Sequence, residues 1–138
     1  MDKLQIIQQY ELSGDLMYFA TLSGDYKTNN REGQKLLKLF KLFEKDHDLA
    51  VECIGELLKS NNVVVRTKAA AYCLSLGINI ATGESVLEEI VADPENGIFG
   101  FNAKMTLAEW KKKGVLTLYQ KRERSKERQG NDPSAVID

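Results

Sequence analysis

The sequence is poor in the residues that most metal, redox and loop-built chemistry requires. It holds one histidine, two cysteines and two prolines among 138 residues. A single histidine, His47, excludes a multi-histidine metal site. Cys53 and Cys73 are too far apart for a C-x-x-C zinc or redox motif. No GxGxxG, GxxxxGK[ST] or GxSxG stretch occurs, so the common phosphate-cradling loops and the nucleophile elbow are missing. Scarce proline favours long helices over a loop-rich fold. No apolar run approaches the roughly 20 residues that span a bilayer. Met1-Asp2-Lys3 opens without the charged-then-apolar pattern of a secretory leader. Together with the two cysteines, this predicts a cytoplasmic chain with free thiols. No cofactor, no metal and no enzymatic activity are expected.

What is present reads as helix. Hydrophobic residues make up 43% and charged residues 28%, which is ordinary globular usage. Residues 3–22 carry Leu4, Ile7, Tyr10, Gly14, Met17 and Thr21 at helical spacing, with Gly14 a weak point. Gly24 ends this segment and Asp25 caps the next. Residues 26–45 place Leu36, Leu37, Leu39, Phe40, Leu42 and Phe43 on one face, opposite Lys35, Lys38, Lys41 and Lys45. Asp46 or Asp48 caps a third helix over about 48–59, with Leu49, Val51, Cys53, Ile54, Leu57 and Leu58 inside. Ser60-Asn61-Asn62 is a turn, and a fourth helix covers 63–76. A connector at 78–83 leads to a fifth helix at 84–92, opened by Thr82 or Gly83. The turn Asp93-Pro94-Glu95-Asn96-Gly97 precedes a sixth helix at 98–113, with Phe99, Ala103, Leu107 and Trp110 inward. The expected fold is all-α, with about six helices.

Charge divides the chain. Residues 1–110 hold eleven basic and sixteen acidic side chains, whereas residues 111–130 hold eight basic and two acidic. The organisation expected is one helical domain over 1–114 and a basic, partly disordered tail over 115–138. Val115, Leu116, Leu118 and Tyr119 are the residues that would dock the start of the tail on the core.

The last four helices read as two copies of one hairpin, residues 48–77 and 82–114. Ile54, Leu57 and Leu58 correspond to Leu87, Ile90 and Val91. Ala69, Cys73 and Leu76 correspond to Ala103, Leu107 and Trp110. Repeats of this period mark stacked helix pairs. The segment Asn62 to Ala70, with Val65, Arg66, Ala69 and Ala70, resembles the inner-helix start of a HEAT repeat. In the second copy Gly100 stands where the arginine would be. The order of Gly24 to Lys27, Val65 to Ala70 and Phe101 to Trp110 resembles a small bacterial HEAT-like helical family of unknown function. Its members are often encoded beside polymorphic toxins as immunity proteins. The resemblance implies two long N-terminal helices followed by two HEAT-like hairpins, and an immunity role.

Several residues are candidates for function. His47 reads as a solvated turn residue between two aspartates, and Cys53 and Cys73 as small buried hydrophobes. Trp110, with Phe99 and Phe101, is either core or an interface anchor. Glu84, Glu88, Glu89 and Asp93, joined by Glu52 and Glu56 on the equivalent helix, form either a solvated acidic face or a partner-binding surface. As a partner-binding surface they would recognise a basic protein such as a toxin domain through opposed potentials. The expected function is a non-catalytic protein-binding module, a cytosolic immunity protein. The alternatives are a nucleic-acid-associated helical module acting through the basic tail from Lys111 to Arg128, or a general helical interaction scaffold.

Overall fold

The computed structural model describes residues 1–120. Among these the chain forms α1 (Lys3–Ser23), α2 (Tyr26–Lys45), α3 (His47–Leu57), α4 (Val63–Leu76), α5 (Ile80–Ala92) and α6 (Ile98–Lys113), with a short 3-10 turn at Pro94–Asn96 and no strand. The all-α reading therefore holds. The basic residues Lys121 to Arg128 of the expected tail lie outside the described residues.

Local chemistry sets most of the boundaries. The Asp2 side chain accepts from the Gln5 amide, and the Gln5 side chain accepts from the Asp2 amide, a reciprocal cap on α1. Asp25 accepts from the Thr28 amide at 3.1 Å, and Asp46 from the Leu49 amide at 3.1 Å. Asn62 accepts from the Val64 amide at 2.7 Å and also donates to Asp15 at 3.0 Å, tying the α4 start to α1. Gly24 and Gly77 close α1 and α4 at φ 76° and 71°, left-handed values that glycine adopts without strain.

Two glycines stand where helices approach closely, and one of them shifts a helix boundary. α1 runs unbroken through Gly14, as expected, and a Cβ there would collide with Val65 Cγ2 of α4. α5 begins at Ile80, four residues earlier than expected, and Gly83 lies inside it. A Cβ on Gly83 would sit 2.8 Å from the Ala70 carbonyl oxygen and 2.8 Å from Cys73 Cβ. Gly83 is thus a packing residue, and Asn79, at φ 50°, opens the helix without a side-chain cap.

α4 is the hub. Val65, Ala69, Tyr72 and Cys73 join one core with residues of α1, α2 and α3. Val63, Ala70, Ala71 and Leu74 join a second core with α5 and α6. Apolar residues almost all round a helix require burial on several sides, and α4 has that composition. The first core centres on aromatic rings: Tyr10 stacks on Phe43 with centroids 6.1 Å apart, and Tyr72 lies 4.7 Å from Phe40. Each repeat-equivalent pair shares one environment. Ile54 and Leu87, Leu57 and Ile90, Ala69 and Ala103, and Cys73 and Leu107 are all buried, while Leu58 and Val91, and Leu76 and Trp110, are half-buried.

Some side chains expected inside are exposed instead: Leu4, Leu42 and Val51 in their helices, and Val115 after α6. Leu116 is buried in the second core, Leu118 packs on both cores, and the Tyr119 ring meets Phe40 edge-on at 6.2 Å. Cys53 and Cys73 are buried free thiols, and burial pushes the Cys73 thiol up to about 11. Neither is poised as a nucleophile.

One carboxylate among the described residues is buried. Glu32 of α2 is 1% exposed, accepting from Ser13 Oγ at 2.8 Å and from Arg31 Nε and Lys35 Nζ at 3.0 Å each. Burial alone would raise its pKa, but the hydrogen bonds from Lys35, Ser13 and Arg31 outweigh it and hold the carboxyl below its ordinary value. A carboxyl depressed in the fold stabilises it above the unfolded pKa, about 4.3, and loses that contribution as pH falls through the folded value. Glu32→Gln should cost about 1–2 kcal/mol at pH 7, a charge-assisted bond discounted for its exposed cationic partners. The penalty should shrink below about pH 4. Urea titrations of both proteins from pH 3 to 7 check this, and a pH-independent difference would contradict it.

Candidate interaction surface

The six acidic residues expected at an interface are carried by two helices and the end of one of them. Glu52 and Glu56 stand on α3, which packs against α1, α2 and α4. Glu84, Glu88 and Glu89 stand on α5, which packs against α4 and α6, with Asp93 as its C-cap. Four of the six have partners within the chain. Glu56 pairs with Lys3 at 3.9 Å, and Glu88 with Lys111 at 3.7 Å. Glu84 Oε2 accepts from Trp110 Nε1 at 2.7 Å, and Asp93 accepts from the Glu95 amide at 3.0 Å. The Lys3 and Lys111 pairs are exposed and add little stability, yet they lower the field that a basic partner would meet. Glu52 and Glu89 remain exposed.

The first residues of the expected basic stretch are also engaged. Lys111 pairs with Glu88 as above, and Lys113 meets Glu109 at 2.7 Å. Lys111, Lys112 and Lys113 occupy the last turn of α6, where cations complement the helix dipole. Among the aromatic candidates, Phe99 is buried, Trp110 is half-buried against the second core, and Phe101 is exposed. His47 is an exposed residue at the start of α3, as a solvated turn residue should be.

The most prominent exposed feature lies elsewhere, on α1. Its inner side buries Ile6, Tyr10, Ser13, Gly14 and Ala20 against the rest of the molecule. Its outer side carries Leu12 at 60% exposure, Leu16 at 40%, Phe19 at 67% and Leu22 at 59%. Leu12, Leu16 and Phe19 follow helical spacing, so they form one row facing away from the core. No described element covers it.

Phe19 is the crest of this row. Tyr18 meets it edge-on at 5.3 Å and itself stacks on buried Phe99 at 4.7 Å, with the rings 12° from parallel. The exposed ring is therefore braced through Tyr18 to the second core. Phe19 borders a hollow of about 430 Å³ on one side, lined by Glu11, Asp15, Asn62 and Arg66. It borders another of about 510 Å³ on the other, with Leu16, Leu22, Asp25 and Arg31. A braced aromatic between two hollows offers a partner shape and apolar area together.

No protein-family model, curated protein or solved structure matches the chain. Among the described residues no three His, Cys, Asp or Glu side chains converge as metal ligands, and no helix is long and apolar enough to cross a membrane. The row on α1 was absent from the expected site residues. Its sequence signal is that apolar residues surround α1, from Leu4 and Ile7 to Leu12, Leu16 and Phe19, although only one side of a surface helix can face its own core.

Proposed function

We propose that this chain is a non-catalytic protein-binding module whose partner docks on the outer face of α1. The observation that carries this reading is the uncovered row Leu12, Leu16 and Phe19 on a helix whose other side is fully packed. Exposed contiguous apolar surface of this kind marks interaction sites, and braced aromatics supply much of the affinity at such sites. Glu11 and Asp15 put two carboxylates in the hollow beside Phe19, and Glu52 and Glu89 add exposed negative charge on α3 and α5. That arrangement favours a partner whose contact surface is apolar at its centre and basic at its rim, with charge setting the encounter rate. The resemblance to immunity proteins supplies the biological form of the reading: the partner is a toxin domain, and binding neutralises it.

Capture from the native host with the tagged chain and with a Leu16→Lys/Phe19→Lys variant tests this. One polypeptide should bind the first at one-to-one stoichiometry and be lost from the second, with helicity unchanged in both. Expression of that polypeptide alone should arrest growth, and co-expression of the wild-type chain should restore it. Equal recovery by both chains would overturn the placement on α1. A partner without toxicity would overturn the immunity reading and leave the docking surface standing.

A further inference from the structure

Lys68 occupies an unusual position, near the middle of the central helix α4. With Thr67 it lines two adjoining hollows of about 360 and 240 Å³, so the two form one groove with α4 as its floor. α2 walls the groove on one side with Asn29, Gln34 and Phe40, and α6 on the other with Phe99, Asn102 and Thr106. Among the described residues, Lys68 is the only charged one lining either hollow. No hydrogen bond or ion pair within the described residues engages its ammonium. Burial lowers its pKa, and no described carboxylate opposes that effect.

A second polar group in the groove is also unpartnered. Asn29 Nδ2 donates to Thr21 Oγ1 at 3.1 Å, but Asn29 Oδ1 is buried with no hydrogen-bond partner. Buried acceptors are normally paired, so an exception on a groove wall indicates a donor that arrives from outside. The groove is thus lined by one cation and by apolar side chains such as Phe40, Phe99 and Met17, with an unpaired, buried acceptor in its wall.

We propose that this groove binds an acidic side chain carried on a peptide segment of a protein partner. The Lys68 ammonium pairs with the carboxylate, Asn29 Oδ1 accepts a peptide N–H, and flanking apolar side chains lie on the rings. A single lysine without an arginine fork or a second cation suits a monoanionic carboxylate better than a phosphate dianion. The site is separate from the Phe19 row and does not depend on that row binding anything.

Selection of random displayed dodecapeptides on the full-length chain tests the assignment. The expected peptides carry Asp or Glu between apolar residues, and lose at least tenfold in affinity against Lys68→Met. That variant should fold about as well as wild type, since it keeps an apolar stem of similar length and breaks no ion pair within the described residues. As a measurement independent of any variant, peptide addition should shift the Lys68 side-chain and Asn29 amide resonances of the wild-type chain. Peptides without acidic enrichment, binding that survives Lys68→Met, or competition by inorganic phosphate as effective as that by free peptide would each overturn it. So would a Lys68 ammonium already paired with a carboxylate of the free chain.

Discussion

Replacing Tyr10 with alanine should destabilise the protein by about 4 kcal/mol, the cost of emptying a large aromatic site in a packed core. Tyr10 is fully buried at the point where α1, α2 and α4 meet, stacked on Phe43 and edge-on to Tyr72 at 5.9 Å. Its hydroxyl lies 2.8 Å from the Tyr72 hydroxyl and 3.2 Å from the Leu36 carbonyl oxygen. Each hydroxyl has one hydrogen, so both contacts are made when Tyr10 donates to the carbonyl and accepts from Tyr72. Burial, with Tyr72 alongside, pushes the Tyr10 phenol far above its ordinary pKa, so it stays neutral at all working pH. Tyr10→Phe keeps the ring and strands the Tyr72 hydroxyl, a loss of about 1–3 kcal/mol. Removing both hydroxyls should cost less than the two single losses summed. Urea unfolding of the variants gives these values directly, and a Tyr10→Ala loss below about 2 kcal/mol would show that α1 is not held through this ring.

The second large effect concerns two glycines within helices. Gly83→Leu should destabilise by about 3 kcal/mol, because its Cβ meets backbone and Cβ atoms of α4 that cannot move aside without parting the helices. Gly83→Ala should cost about 1–2 kcal/mol, the clash being partly offset by alanine's better helix propensity. Gly55, inside α3, has nothing within 4 Å of the corresponding position. There alanine should stabilise by about 0.5–1 kcal/mol. Midpoint shifts of opposite sign at an unchanged denaturant slope are the expected result. Equal effects at the two sites would mean that α4 and α5 do not approach as closely as described.

Much of the fold is legible because α2 and α4 announce themselves locally. In α2, lysines alternate with Leu36, Leu39 and Phe40 at helical spacing, and Asp25 and Asp46 mark its ends. The repeat correspondence also carries through, since equivalent positions share burial although their side chains differ. α1 is harder to read. Apolar residues surround it, so periodicity alone cannot distinguish the packed side at Tyr10 and Gly14 from the open side at Leu12 and Phe19. Gly83 reads as a residue before the start of its helix because its neighbour across the interface, Ala70, is thirteen residues away in sequence. The acidic residues were legible as charges, but their contacts within the chain were not. The partners of Glu56, Glu84 and Glu88, which are Lys3, Trp110 and Lys111, all come from other helices. Lys68 was hidden in a strong helix-forming stretch. Its meaning depends on α4 being the central helix, which only tertiary packing decides.

The claim that the outer face of α1 is a protein-binding site is tested most directly by calorimetric titration of the captured partner domain with wild-type chain and with Phe19→Ala. The account predicts at least a 30-fold weaker Kd for the variant, about 2 kcal/mol, with its unfolding midpoint unchanged because the ring is exposed. An unchanged Kd with the fold intact would contradict it.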